Sequence, residues 1–320
     1  MRNGAWGIFG QADARVNGLS SSVEGGTALF SPGRTLAGGL CRFCGAHIDR
    51  GAAAPHLVSQ VTETVQTQPA ADPPRPANAL GAGLVLAWAA MGYALARLEA
   101  PSGVLTFAFV MLGWVLSVMA HEFSHAAVGY LAGDVTVAQK GYLSFDPRRY
   151  GDVGVSIVLP LLALALGGVA LPGGAVYLRN DLMRGRSWRA AAALAGPAAT
   201  LIVLVVLASA LRIWAADGAE NALFPAVTVL AFLQAMALIL NLLPIPGLDG
   251  FNALRPFLPA EFAPQIRKAE GLAMGLLFLA IFFLPGAGAL LFQAAERLSL
   301  AFGLDLDALG VGWRAFHFWR

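Results

Sequence analysis

Residues 103–132 read GVLTFAFVMLGWVLSVMAHEFSHAAVGYLA. About 20 apolar residues let a helix cross the roughly 30 Å hydrocarbon core of a bilayer, so this run predicts a membrane-spanning helix. It holds one acid and no lysine or arginine, and toward its end stands His121-Glu122-Phe123-Ser124-His125. Helix positions i and i+4 share a face, so His121 and His125 can present both imidazoles to one metal ion, with Glu122 beside them. Two nitrogen ligands and a carboxylate base are the donor set of zinc hydrolases. Ionisable groups at lipid depth are costly, so the motif reads as a functional site.

The composition agrees with a membrane setting. The 320 residues are 57% hydrophobic and 12% charged, with a mean hydropathy of +0.65; a soluble domain carries about 25% charged residues. A net charge of +2 without a basic stripe argues against nucleic-acid binding. Two cysteines cannot build a disulfide framework. The expected fold is an all-α polytopic membrane protein. Apolar stretches at 80–98, 103–132, 153–172, 190–214, 223–248 and 271–302 give about five to six transmembrane helices. The last is interrupted at Pro285-Gly286, as a kinked helix or two shorter pieces.

Residues 1–79 read as a polar, weakly ordered cytoplasmic extension. They end in the linker Asp72-Pro73-Pro74-Arg75-Pro76 and lack the charged start and apolar run of a secretory signal. Residues 80–302 form the expected membrane-embedded domain and 303–320 a short interfacial tail. Arg179, Arg184, Arg186 and Arg189, with Arg255, Arg267 and Lys268, favour the cytoplasm for the loops that hold them. If 153–172 crossed fully, 103–132 and 223–248 would run in opposite directions and separate their polar ends. A re-entrant or irregular Gly/Pro-rich segment near 153–178 removes that conflict.

A zinc hydrolase needs a third protein ligand. Asp249 is the best candidate, in Asn241-Leu242-Leu243-Pro244-Ile245-Pro246-Gly247-Leu248-Asp249-Gly250, where prolines and glycines break an apolar run. The bland alternative is an Asp-Gly turn at the interface. Asn241 could donate to a substrate carbonyl or developing oxyanion. The two motifs resemble those of the site-2 proteases, intramembrane zinc metalloproteases, over about residues 80–255. Gly141-Tyr142-Leu143-Ser144, Asp146-Pro147, Gly173-Gly174-Ala175-Val176 and Ala195-Gly196-Pro197, the last opening the next helix, extend the match. The resemblance implies that His121, His125 and Asp249 bind one Zn2+, that Glu122 is the catalytic base, and that the substrate is a transmembrane helix of another protein. Thr200 stands where the family commonly has Asn, and no PDZ-type insertion is recognisable.

The Gly-rich segment with Gly173 and Gly174 could hold substrate extended as an added strand. Cys41, Cys44, His47 and His56 suggest half of a zinc knuckle, against a plain tail with two free thiols. His317 lies in an aromatic terminus that reads as an interfacial anchor. Asp146, Arg148, Arg149 and Asp152 read as a solvated loop, with gating as the alternative. The competing functions are a non-catalytic membrane-helix-binding protein, which an intact Glu122 disfavours, and a metal-ion transporter, which would want a second charged intramembrane cluster. The Ala/Gly-rich composition suits a prokaryotic plasma membrane.

Overall fold

Hydropathy locates most of the helices; the computed structural model, which describes residues 78–150, 159–169, 176–216 and 221–320, adds what each packs against. Contacts separate residues 1–71 from 72–320, and the described residues all belong to the second unit. Cys41, Cys44, His47 and His56 therefore lie outside them, as does nearly all of the expected extension.

Apart from a single helical turn at Thr136–Gln139 and three 3-10 turns, the helices among the described residues are, in chain order, α1 (Ala79–Ala96), α2 (Gly103–Ala132), α3 (Leu159–Gly167), α4 (Arg186–Ala216), α5 (Leu223–Leu242), α6 (Asp249–Leu254), α7 (Ala263–Phe283), α8 (Ala287–Ala301) and α9 (Leu306–Phe316). Four of them, α1, α2, α4 and α5, are long and apolar enough to cross a membrane. The pair α7–α8, bent by 88° at the expected Pro285-Gly286 break, counts as a fifth span if taken as one broken helix. The chain is an all-α, multi-pass membrane protein.

Burial differs sharply among the spans. The α5 sequence is apolar on every side, which suits a helix enclosed by others, and α2, α4, α8 and α9 pack around it. By contrast α1 buries Gly81, Gly92 and Leu95 and turns Leu86 and Tyr93 outward. The most extensive interface joins α2 to α4, where Ala192, Ala193, Ala195 and Gly196 are buried. Lipid gives helices no hydrophobic reason to associate, so small residues that let backbones approach carry such interfaces.

The expected helix start at Ala195-Gly196-Pro197 is corrected. α4 begins at Arg186 and contains Pro197. A proline leaves the carbonyl four residues earlier, here Ala193, without its helical donor. Membrane helices tolerate this because neighbouring groups can satisfy the freed carbonyl, so the proline does not mark the end of the helix.

One hydrogen bond decides how the middle of the chain is threaded. The Arg184 N–H donates to the Ala132 carbonyl at 3.0 Å, joining the end of α2 to the start of α4. The chain between them leaves and returns on one side, which excludes a single crossing. Gly168, in the left-handed region at φ +67°, follows α3 and lies against the Trp313 ring. That ring is 5.7 Å from Phe232, about 14 Å into α5 at 1.5 Å per residue. Val176 is back beside Glu122. This supports the re-entrant reading of 153–178, of which 153–158 and 170–175, with Gly173 and Gly174, lie outside the described residues. As a result α2 and α5 run in the same direction and bring their ends together.

The C-terminal residues do more than trail. α9 packs on α5 and α2, with Gly312 against the Pro225 carbonyl and Phe316 stacked 5.4 Å from Phe107. His317 is buried, its ring 4.7 Å from that of Trp313.

Candidate metal centre

α2 carries His121, Glu122 and His125 on its buried side, one turn apart, as the local spacing demands. The helix then stops at Gly133, whose φ of +119° provides the left-handed cap. Asp134 follows, fully buried, accepting from the Thr136 N–H and hydroxyl and from the Arg179 N–H at 2.7 Å. It ties the end of α2 to the chain at 176–179, whose Val176 lies beside Glu122. Sequence reading overlooked Asp134, although Asp-x-Thr after a glycine is the signature of a side-chain-capped turn.

Asp249 arrives from the other motif. After α5 the chain is extended at Leu243, and the Leu248 N–H donates to the Ile245 carbonyl at 3.0 Å. Pro246 and Gly247, with φ +102°, occupy the corners of that turn, as a type II turn requires. α6 then doubles back so closely that a Cβ on Gly250 would meet the Leu242 and Leu243 carbonyl oxygens. The result places Asp249 Oδ2 at 3.1 Å from His121 Nε2 and Oδ1 at 3.4 Å from His125 Nε2. The two Nε2 atoms are 3.0 Å apart.

Those edges suit zinc. Donors at about 2.0–2.1 Å from a tetrahedral ion stand about 3.3 Å from one another. Among the described residues, His121, His125 and Asp249 are the group of three side chains able to share a metal ion. The outer nitrogens are also committed: His121 Nδ1 pairs with the Thr200 hydroxyl at 2.9 Å, and His125 Nδ1–H donates to the Ala192 carbonyl at 2.7 Å. The Ala192 carbonyl, which can only accept, fixes the His125 tautomer with its Nε2 lone pair inward, and the Thr200 hydroxyl orients the His121 ring. Thr200, noted in the sequence as a departure from the family pattern, thus serves as a support for His121. Gly196 passes beneath both rings, where a Cβ would collide with each Nε2. Its role is close packing.

Glu122 is 4% exposed, and its Oε2 accepts from the Val176 N–H at 3.1 Å. With His125 and Asp249 it lines a cavity of about 830 Å³ bordered by α4, the chain at 176–180, and the 255–270 region. Asn241 is buried in the last turn of α5 and is not among the residues lining that cavity. Ser124 donates to its own helix, at Ala120. Asp146 is not solvated as expected: it is buried and caps the turn at Pro147–Arg149, its carboxyl lowered by hydrogen bonds from Arg148. Asp181, gripped by Arg179, is lowered to about 2.

Comparison with known proteins gives a consistent answer. The chain is 44% identical to "Putative zinc metalloprotease Rip2" of Mycobacterium tuberculosis over 178 residues, 56% of this chain and 67% of that protein. It is 37% identical to the Mycolicibacterium smegmatis protein of the same name over 242 residues, 74% of this chain and 92% of the relative. "Putative zinc metalloprotease YwhC" of Bacillus subtilis is 24% identical over 184 residues, 55% of this chain and 81% of its own length. No protein-family model and no solved structure matches the chain. The names of these relatives imply zinc, which the His/His/Asp donor set fits. With nearly the whole of the smegmatis relative aligned at that identity, the chain belongs with them to the site-2 protease family of zinc metalloproteases.

Proposed function

We propose that this protein is an intramembrane zinc endopeptidase that hydrolyses peptide bonds within or near transmembrane helices of other membrane proteins. One observation carries the reading: three donors from distant motifs meet 3.0–3.4 Å apart beside a buried carboxylate, and two of them share a cavity with it. His121, His125 and Asp249 hold the ion, and Thr200 and the Ala192 carbonyl hold the histidines. Zinc, when bound, supplies a Lewis acid that polarises a carbonyl and brings the pKa of its water to about 7.

The remaining steps belong to the chain. Glu122 accepts a proton as the water oxygen attacks the scissile carbonyl carbon. It returns that proton to the amide nitrogen as the C–N bond breaks, leaving a carboxylic acid and an amine, which exchange a proton to become carboxylate and ammonium. The Val176 N–H orients the carboxylate, and the 830 Å³ cavity gives water and an unwound substrate segment room at membrane depth. Gly173 and Gly174, just before Val176, would hold that segment extended.

Orientation follows from charge. Lys140, Arg179, Arg184, Arg186, Arg189 and Arg255 all lie near the site's end of the bundle, which supports a cytoplasmic opening in a prokaryotic inner membrane. The start of α1, where Gly81 packs on Phe145, is on the same side and would make the extension at 1–79 cytoplasmic.

The test is cleavage of a transmembrane substrate in proteoliposomes by the full chain and by Glu122→Gln. Loss of a general base lowers the rate by about 10²–10⁴-fold, while one zinc per chain is retained. Cleavage undiminished in Glu122→Gln, or zinc flux across sealed vesicles without any cut product, would sink the reading.

A further inference from the structure

Four arginines lie between positions 179 and 189, and the structure divides them into two pairs. Arg179 is bidentate to Asp181, at 2.9 and 2.7 Å. Arg184 donates to the Leu131 carbonyl and stacks 4.6 Å over the Trp188 ring. The side chains of Arg186 and Arg189 make no hydrogen bond or ion pair among the described residues, and both residues line the cavity that holds Glu122, His125 and Asp249. Arg189 Nε is buried with no acceptor, an arrangement an incoming acceptor would relieve.

Among the described residues no carboxylate forms an ion pair with either arginine. Asp181 feels the charge of Arg189 but is already held by Arg179. The third arginine of the lining, Arg255, is paired with Glu270 at 2.7 Å. α4 begins at Arg186 without an acid in its first turn. Cations there add to the positive end of the helix dipole instead of opposing it. Arginines at a cytoplasmic boundary are ordinary, and Arg184, exposed and tied to backbone, shows that ordinary use. Arg189 differs in being half-buried at the cavity wall, with its Nε buried and without an acceptor among the described residues.

We propose that Arg186 and Arg189 form an anion-binding subsite that grips a carboxylate of the substrate chain, an Asp or Glu flanking the scissile bond on the side of the membrane where α4 begins. This rests on the protease reading and supplies its substrate preference. The Ala192 carbonyl marks the level of His125 on α4. Arg189 and Arg186 lie about 4.5 and 9 Å from that level at 1.5 Å per residue. An extended chain covers about 3.3 Å per residue, so the acid falls about one to three residues from the bond that is cut.

Binding tests this without requiring turnover. The full chain carrying Glu122→Gln is placed in phosphatidylcholine nanodiscs. It is titrated with two fluorescent peptides of identical apolar span, one flanked by glutamates and the other by glutamines. The glutamate peptide is expected to bind on the order of tenfold tighter. Arg186→Gln with Arg189→Gln should abolish the preference at an unchanged zinc content. Arg186→Glu with Arg189→Glu should transfer it to a lysine-flanked peptide, which a misfolded protein could not do. Equal binding of the first two peptides, or a preference that survives the double substitution, overturns the subsite. So does loss of the preference when phosphatidylglycerol is added at constant ionic strength, because a lipid headgroup is then the ligand. If no substrate is ever cut by the wild-type chain, the protease reading fails while these affinities still decide the subsite.

Discussion

The chain breaks two apolar runs with proline and glycine, and the two breaks have opposite consequences. At 243–248, between α5 and α6, the turn delivers Asp249 to within 3.4 Å of two histidines, and Gly250 seats against backbone carbonyls. At 284–286, between α7 and α8, the chain bends by 88°, Gly286 takes φ +87°, and a Cβ there would meet open space. Leu284 and Phe283 beside it are exposed. Both breaks free backbone groups from helical hydrogen bonding. Only the first converts that freedom into a polar group docked against other polar groups. A broken helix therefore points to function through what it delivers and how tightly the delivery is packed.

The largest expected effect breaks the comparison outright. Asp249→Ala removes one of the three proposed protein ligands. Zinc sites of four ligands are worth about 10–16 kcal/mol, so one ligand accounts for about 3 kcal/mol, or a hundredfold and more in affinity. Competition with a chromophoric chelator reads this directly, and zinc bound as tightly as in the unsubstituted chain would remove Asp249 from the site. Next comes support from outside the ligand set. Thr200→Val deletes the hydroxyl that holds His121 Nδ1 and should weaken zinc binding by about 10–100-fold, whereas Thr200→Ser should restore it. Equal affinity for the Val and Ser variants would show that the hydroxyl positions nothing.

Gly250→Ala comes third. Its Cβ would press on the Leu242 and Leu243 carbonyls, so α6 must shift at a cost of about 1–3 kcal/mol. The visible spectrum of cobalt substituted for zinc should move, since Asp249 begins that helix. The smallest effect is also the sharpest contrast. Gly247→Ala and Gly286→Ala each force alanine into a left-handed backbone, costing about 1–2 kcal/mol and lowering the unfolding temperature in detergent to a similar extent. Zinc affinity should fall in the first alone. A loss in both would mean that the α7–α8 break also shapes the metal centre.

Much of the frame was legible beforehand because it depends on local sequence. The spans, the break at Pro285-Gly286 and the shared face of His121 and His125 all follow from hydropathy and a 3.6-residue period. The re-entrant reading of 153–178 came from charge placement and gains support from the bond between Arg184 and Ala132. Pro197 misled, since proline marks a helix start in water but is tolerated inside a membrane span. Thr200 looked like a defect in a motif and Asp134 like any loop acid, because nothing in their neighbours reveals what they touch.

The sequence by itself determined that this is a membrane protein, where its helices run, and that two imidazoles and a carboxylate share one helix. The tertiary structure decided that Asp249 joins them from 128 positions away, that Gly196 makes room beneath the rings, and that Thr200 and the Ala192 carbonyl aim them. Helix periodicity acts over a few residues and can be read from the chain. The meeting of α2, α4 and α6 depends on small side chains fitting across interfaces, which no local pattern encodes.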